Sequence, residues 1–160
     1  MKFAVIPFCI AAALATPALV TDASAADASS LVDQFMRAWN AGDAHALSAL
    51  FAPDGDLVTP TGIDSKGREA IQAFYAAAFA RGYQGSKGEG QIVRERALSP
   101  DITLVDARFS IVGAKKEDGS PRADENGILT AVIARNDSGL QILALRENEG
   151  AADFTVFPSR

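Results

Sequence analysis

Apolar residues recur at two different periods along this chain of 160 residues. In the first half the period is helical. Leu31, Val32, Phe35, Met36 and Trp39 fall on one face. They predict a helix that begins at Ser29 or Ser30, with Asp33 at capping-box spacing from Ser30. Asn40-Ala41-Gly42 ends it. Asp43 is placed to cap a second helix carrying Leu47, Leu50 and Phe51. Pro53 stops that helix, Asp54-Gly55 reads as a turn, and Leu57 to Thr59 as a short strand broken by Pro60-Thr61-Gly62. A third helix starts near Lys66 or Gly67, carries the stripe Ile71, Phe74, Tyr75, Ala78 and Phe79, and closes at Gly82.

The second half alternates. Gln91 to Leu98 suits a strand, and Ser99-Pro100-Asp101 a turn. Across Ile102 to Val112, Thr103, Val105, Ala107, Phe109 and Ile111 share one face; Asp106, Arg108 and Ser110 share the other. Lys115 to Asn126 is polar and reads as a long, mobile hairpin loop. Ile128 to Arg135 and Leu140 to Glu147 are strands, joined by a turn at Asn136-Asp137-Ser138-Gly139. Phe154, Val156 and Phe157 in the tail 150–160 could dock on the body. Helices followed by hairpin-linked strands predict an α+β domain, with the N-terminal helices packed on a strongly curved antiparallel sheet around a cone-shaped cavity.

The first 25 residues have another pattern. Met1-Lys2 precedes an uncharged apolar run from Phe3 to Ala15, and Ala23-Ser24-Ala25 forms a small-residue cleavage site. This is the order of a secretory signal peptide. The expected organisation is therefore a signal over 1–25 and one domain over 26–160, exported to the periplasm or secreted. A buried N-terminal helix fits poorly with Pro7 and Pro17, and Ile6-Pro7-Phe8 is a poor lipobox for Cys9.

Composition narrows the chemistry. The net charge is −5. Cleavage would remove Lys2 and Asp22, leaving it unchanged. No dense basic run suggests nucleic acid, and nothing after residue 25 is long and apolar enough to span a membrane. The single cysteine, Cys9, lies in the signal. A mature domain would thus hold no disulfide, thiolate nucleophile or Cys-ligated metal. The single histidine, His45, cannot by itself build an HExxH site or a two-His metal triad; it reads as a solvated helix-end residue. No cofactor or metal is expected.

Phe35-Met36-Arg37-Ala38-Trp39-Asn40-Ala41-Gly42-Asp43, Leu50-Phe51-Ala52-Pro53-Asp54-Gly55 and Gly67-Arg68-Glu69-Ala70-Ile71 together resemble the NTF2-like, or SnoaL-like, superfamily. Tyr83-Gln84-Gly85-Ser86 and Thr130 to Arg135 look most like its SgcJ/EcaC subgroup. The resemblance implies a cone-shaped α+β barrel, often a homodimer, with a pocket between helices and sheet. It does not fix one function, because members include isomerases, cyclases, dehydratases and non-catalytic binding domains. It also allows one mechanism to be tested. Ketosteroid isomerases place a tyrosine donor where Phe35 stands here, an aspartate base where Thr59 stands, and a protonated aspartate near Thr130 or Ala131. Neither Phe nor Thr supplies those functions, so that chemistry is disfavoured.

Other groups have competing readings. Arg94, Glu95 and Arg96 could bind an anion or simply decorate a strand surface. Gly82, Gly85, Gly88 and Gly90 follow a helix, which is the wrong order for a phosphate loop. Asp118, Asp124, Glu125 and Asn126 do not fit a calcium loop. Of Arg146 and Glu147, strand parity sends one inward. The leading expectation is binding of a small, largely apolar molecule, with Phe35, Trp39, Thr59, Tyr75, Phe79, Thr130 and Arg146 as ligand-binding candidates. The alternative is an enzyme of lyase, cyclase or isomerase type, with Glu147 as the candidate catalytic carboxylate. A third possibility, a purely structural dimer module, would show a large apolar patch on the outer sheet face and no pocket.

Overall fold

The computed structural model describes residues 23–137 and 139–150. The apolar run, Cys9 and most of the tail lie outside them. Helix α1 (Ala23–Ala41) is followed by α2 (Ala44–Ala49), strands β1 (Phe51–Val58) and β2 (Asp64–Lys66), and helix α3 (Arg68–Ala78). A π-helical turn, Phe79–Tyr83, leads into β3 (Lys87–Ala97), β4 (Ile102–Val112), β5 (Glu125–Asn136) and β6 (Gly139–Glu149). The strands form one sheet in the order β2-β1-β6-β5-β4-β3. Only β1 and β6 run parallel; the other neighbours are antiparallel. Register breaks in β1/β6, β3/β4 and β5/β6 add local bends to the sheet.

Helix α1 starts before Ser29, because the alanine-rich segment from Ala23 favours helix more than the Ser30 cap favours a start. The Ser30 hydroxyl instead accepts a bond from Gln34 Nε2 within the helix. Asp43 does cap α2, accepting from the Ala46 amide at 2.9 Å. The main correction follows α2. Phe51 opens a strand rather than closing a helix, and β1 runs through Pro53-Asp54-Gly55. A register shift between Phe51 and Asp56 absorbs these residues, so turn-forming chemistry serves a bulge. β3 and β5 also start earlier than alternation suggested, whereas β4 has the bounds read from sequence.

Leu31, Phe35 and Trp39 of α1, Ile71 and Tyr75 of α3, and Phe79 meet Phe51, Leu57, Val105, Ile133, Ile142 and Leu145 of the sheet in one core. α1 lies unusually close to β3. A Cβ on Gly88 would come within 2.9 Å of Trp39 Cδ1, and one on Gly90 within 2.8 Å of Met36 Cε. These two glycines are therefore spacers for helix–sheet contact. Asn40 fixes the approach by donating to the Gly88 carbonyl at 2.9 Å and accepting from its amide at 2.7 Å. The β4–β5 loop is tied down as well, since the Lys115 amide donates to Gly82 O and Lys115 pairs with Pro121.

Candidate functional site

A cavity of about 100 Å³ lies between α1, α3 and the inner sheet face. Helical spacing puts Phe35, Met36 and Trp39 on its α1 wall, and Phe74, Tyr75 and Ala78 on its α3 wall. Phe109 and Ile111 of β4, Leu129 of β5 and Glu147 of β6 supply the floor at strand period. Gly127 pairs with Phe109, and its missing side chain leaves space for the Phe109 ring. A smaller apolar recess of about 30 Å³ continues behind Phe35, Met36 and Leu129. The larger groove of about 560 Å³ between α2 and α3 is an open surface feature lined by His45, Arg68 and Glu69. Its acidic residue, Glu69, is exposed, so size does not make it the better site.

The polar groups of the cavity are few. Glu147 lies on the inner face with Leu145, while Arg146 between them points outward. Burial, reinforced by the charge of Glu125, pushes the Glu147 carboxyl up to about 7. No hydrogen bond or ion pair holds it among the described residues. Tyr75 is 1% exposed, and its hydroxyl has no hydrogen-bond partner there. Burial and then the Glu147 charge raise the phenol's pKa, so Tyr75 keeps its proton. Glu125 is held differently: Tyr83 Oη donates to its Oε1 at 2.6 Å, and Arg122 Nε reaches the same oxygen at 2.8 Å. Burial and that bond also raise the Tyr83 pKa. Trp39 Nε1 is already satisfied by Ser86 Oγ at 3.1 Å.

The sequence candidates divide. Phe35, Trp39, Tyr75 and Glu147 come together around the cavity. Phe79 is a buried support, its ring 5.3 Å from Trp39. Thr59 is at the end of β1, where its hydroxyl accepts from the Ile63 amide and pairs with Thr61; it closes the β1–β2 turn. Thr130 and Arg146 require correction. Both are on the opposite sheet face, where Thr130 donates to Asp106 at 2.7 Å and Arg146 pairs with Asp56. The pairing of Thr130 with Arg146 keeps these side chains on one face, one residue out of step with Leu129 and Glu147. That outer face also carries the 3.9 Å Arg94–Asp106 contact, and the cavity on the inner face is a feature that a purely structural dimer module would lack. Asp118 belongs to a local turn, accepting from both the amide and hydroxyl of Ser120.

Glu125, Met36, Phe74 and Phe109 line the cavity without having been singled out as site residues. Glu125 was hidden in a segment that read as loop, although its two-residue spacing from Gly127, and Gly127's from Leu129, places it on the inner face once β5 starts early. Among the described residues no acidic, cysteine or histidine cluster is arranged to hold a metal ion, and no helix is long and apolar enough to cross a membrane.

The fold is NTF2-like. A SnoaL-like domain model matches residues 32–91, from α1 into β3. It stops before β4–β6, and so does not include Glu125 or Glu147. The chain is similar to a domain of unknown function with a cystatin-like fold from Nostoc punctiforme, at 25% identity, 82% coverage of each chain and a TM-score of 0.66. It also resembles a ketosteroid isomerase-like protein from Erwinia carotovora atroseptica at 16% identity, over 81% of this chain and 98% of that one, with a TM-score of 0.71. A hexachlorocyclohexane dehydrochlorinase aligns at 15% identity, over 80% of this chain and 86% of that one, with a TM-score of 0.72. No curated protein matches the sequence.

Proposed function

We propose that this domain binds one compact, largely apolar molecule between its helices and sheet and exchanges a proton with it at Glu147. The observation carrying this reading is a carboxyl that lines an aromatic-walled cavity, unpaired among the described residues, where burial and then the Glu125 charge push it up to about 7. A carboxyl at that value can either give or take a proton near neutrality. A cavity of about 100 Å³ is smaller than the roughly 150 Å³ that accommodates benzene in an engineered core. The ligand must therefore be compact, unless flexible Met36 moves aside. Thermal-shift screening of compact apolar compounds against the protein and Glu147→Gln tests this. Binding that weakens in the variant supports the reading; failure of every compound to bind either protein contradicts it.

The second reading is turnover by an enzyme of lyase, cyclase or isomerase type. Tyr75 favours it, because a buried, protonated hydroxyl on a residue that lines the same cavity as a proton-exchanging carboxyl can stabilise developing negative charge. The dehydrochlorinase and isomerase-like names of two structural relatives are compatible with such chemistry. Retained binding with loss of product formation in Glu147→Gln is its expected result.

Export, cleavage after Ala25, homodimerisation and membership of the SgcJ/EcaC subgroup complete the proposal. The signal pattern supports export and cleavage, the Tyr83–Ser86 and Thr130–Arg135 segments support the subgroup, and the resemblance to NTF2-like proteins supports the dimer. Cleavage after Ala25 would leave the core residues Ala28 and Leu31 in place. N-terminal sequencing of exported protein and sedimentation of the purified domain test the first three; intracellular retention or a monomer would contradict them.

A further inference from the structure

We infer that the polar end of the ligand is an amine, bound as an ammonium ion between Glu147 and the aromatic wall. This rests on the cavity being a binding site, and deepens that reading by naming the ligand class. Three observations carry it. Glu147 and Glu125 both face the cavity, but among the described residues only Glu125 has a cationic partner, Arg122. Six aromatic residues surround the remaining space: Phe35, Trp39, Phe74, Tyr75, Tyr83 and Phe109. The Tyr75 hydroxyl, almost wholly buried, has a lone pair free to accept an N–H bond.

Each class of ligand meets this arrangement differently. An anion would face two carboxyl groups in a poorly hydrated space. A neutral hydrocarbon would fill the volume but leave Glu147 and Tyr75 unpaired. An ammonium pairs with Glu147, donates to Tyr75 and is attracted by aromatic faces. The rim already shows this preference, since the Arg122 guanidinium lies 5.0 Å from the Tyr83 ring centre. A neutral amine entering the site takes the proton from protonated Glu147: the O–H bond breaks, an N–H bond forms, and an ammonium–carboxylate pair remains. An amine arriving as ammonium instead displaces that proton to solvent. No oxidant, reductant or cofactor is required.

Isobutylamine, isobutanol and isopentane share a branched carbon skeleton smaller than benzene and differ in one substituent, which makes them suitable probes for a cavity of about 100 Å³. Trp39 is the only tryptophan and lines the cavity, so its fluorescence reports occupancy directly. At pH 7 isobutylamine should bind at least tenfold more tightly than isobutanol. Calorimetry in buffers of different ionisation enthalpy should show proton release on amine binding. Glu147→Gln should abolish both the preference and the release, and Tyr75→Phe should weaken the amine about threefold. Circular dichroism confirms that the variants remain folded. Equal or tighter binding of the alcohol or hydrocarbon overturns the amine inference and leaves the pocket reading intact. Undiminished amine preference in Glu147→Gln also overturns it. Failure of all three probes to bind overturns both.

Discussion

Tyr75 and Glu147 line one cavity, and the charge of the carboxyl helps to hold the proton on the phenol. Neither group has a hydrogen-bond partner among the described residues. Both are built on regular elements: Tyr75 on the core-facing stripe of α3, and Glu147 on the inward parity of β6. A pair kept unsatisfied in this way costs stability and leaves polar capacity for something that enters.

Glu147 should make stability depend on pH in an unusual direction for an acid. Its folded pKa of about 7 lies above the ordinary 4.5. The folded state therefore holds the proton more tightly, and stability falls as pH rises from about 4.5 through about 7. Glu147→Gln should remove this component of the slope and stabilise the protein at pH 8 by up to about 3 kcal/mol. Urea denaturation at pH 5 and pH 8 checks this; an unchanged difference between the two pH values in the variant contradicts it.

Tyr75→Phe should raise stability by about 1 kcal/mol, because it deletes a buried hydroxyl that has no described partner and leaves the ring. The ring contacts with Phe35 and Trp39, at 6.0 and 6.2 Å, should persist. A melting temperature lowered by the substitution would show that the hydroxyl is satisfied in solution.

The helical stripes of α1 and α3 and the alternation of β4 were legible, because each buries one face against a single core. Those patterns brought out Phe35, Trp39, Tyr75 and the inward option for Glu147. β1 was obscured: Pro53, Asp54 and Gly55 have turn chemistry, but a bulge beside β6 accommodates them. Arg146 was misplaced for a related reason, whereas Thr130 was a candidate from the family position rather than from strand parity, and its register with β4 is unbroken. A one-residue difference in strand register exchanges the two faces, and β5–β6 contains a bulge between Val132 and Ile133. Glu125 was lost because polar composition around it resembled a loop, whereas Arg122 and Tyr83 supply the partners that allow its carboxyl into the cavity wall.

Substitution on the outer face should spare the site. Arg146→Ala and Thr130→Val remove contacts to Asp56 and Asp106, respectively, across the sheet from the cavity. Each should cost no more than about 1 kcal/mol and change probe affinity less than twofold. Fluorescence titration through Trp39 checks this, and a large loss of affinity in either variant would place the ligand elsewhere.

Gly88→Ala should have a local but substantial effect. Its Cβ would press on Trp39 Cδ1 where α1 meets β3. We expect a loss of about 1–3 kcal/mol and a shift in tryptophan emission. Unchanged stability and emission would show that α1 can retreat without cost.

The most direct measurement is a carbon-detected NMR titration of the glutamate side-chain carboxyls, with Glu147→Gln to assign the resonance. One glutamate should titrate near pH 7, disappear in the variant, and shift to lower pH when isobutylamine is bound. If every glutamate in the folded protein titrates below about pH 5, Glu147 is not the proton-exchanging group of an apolar cavity, and the functional account fails.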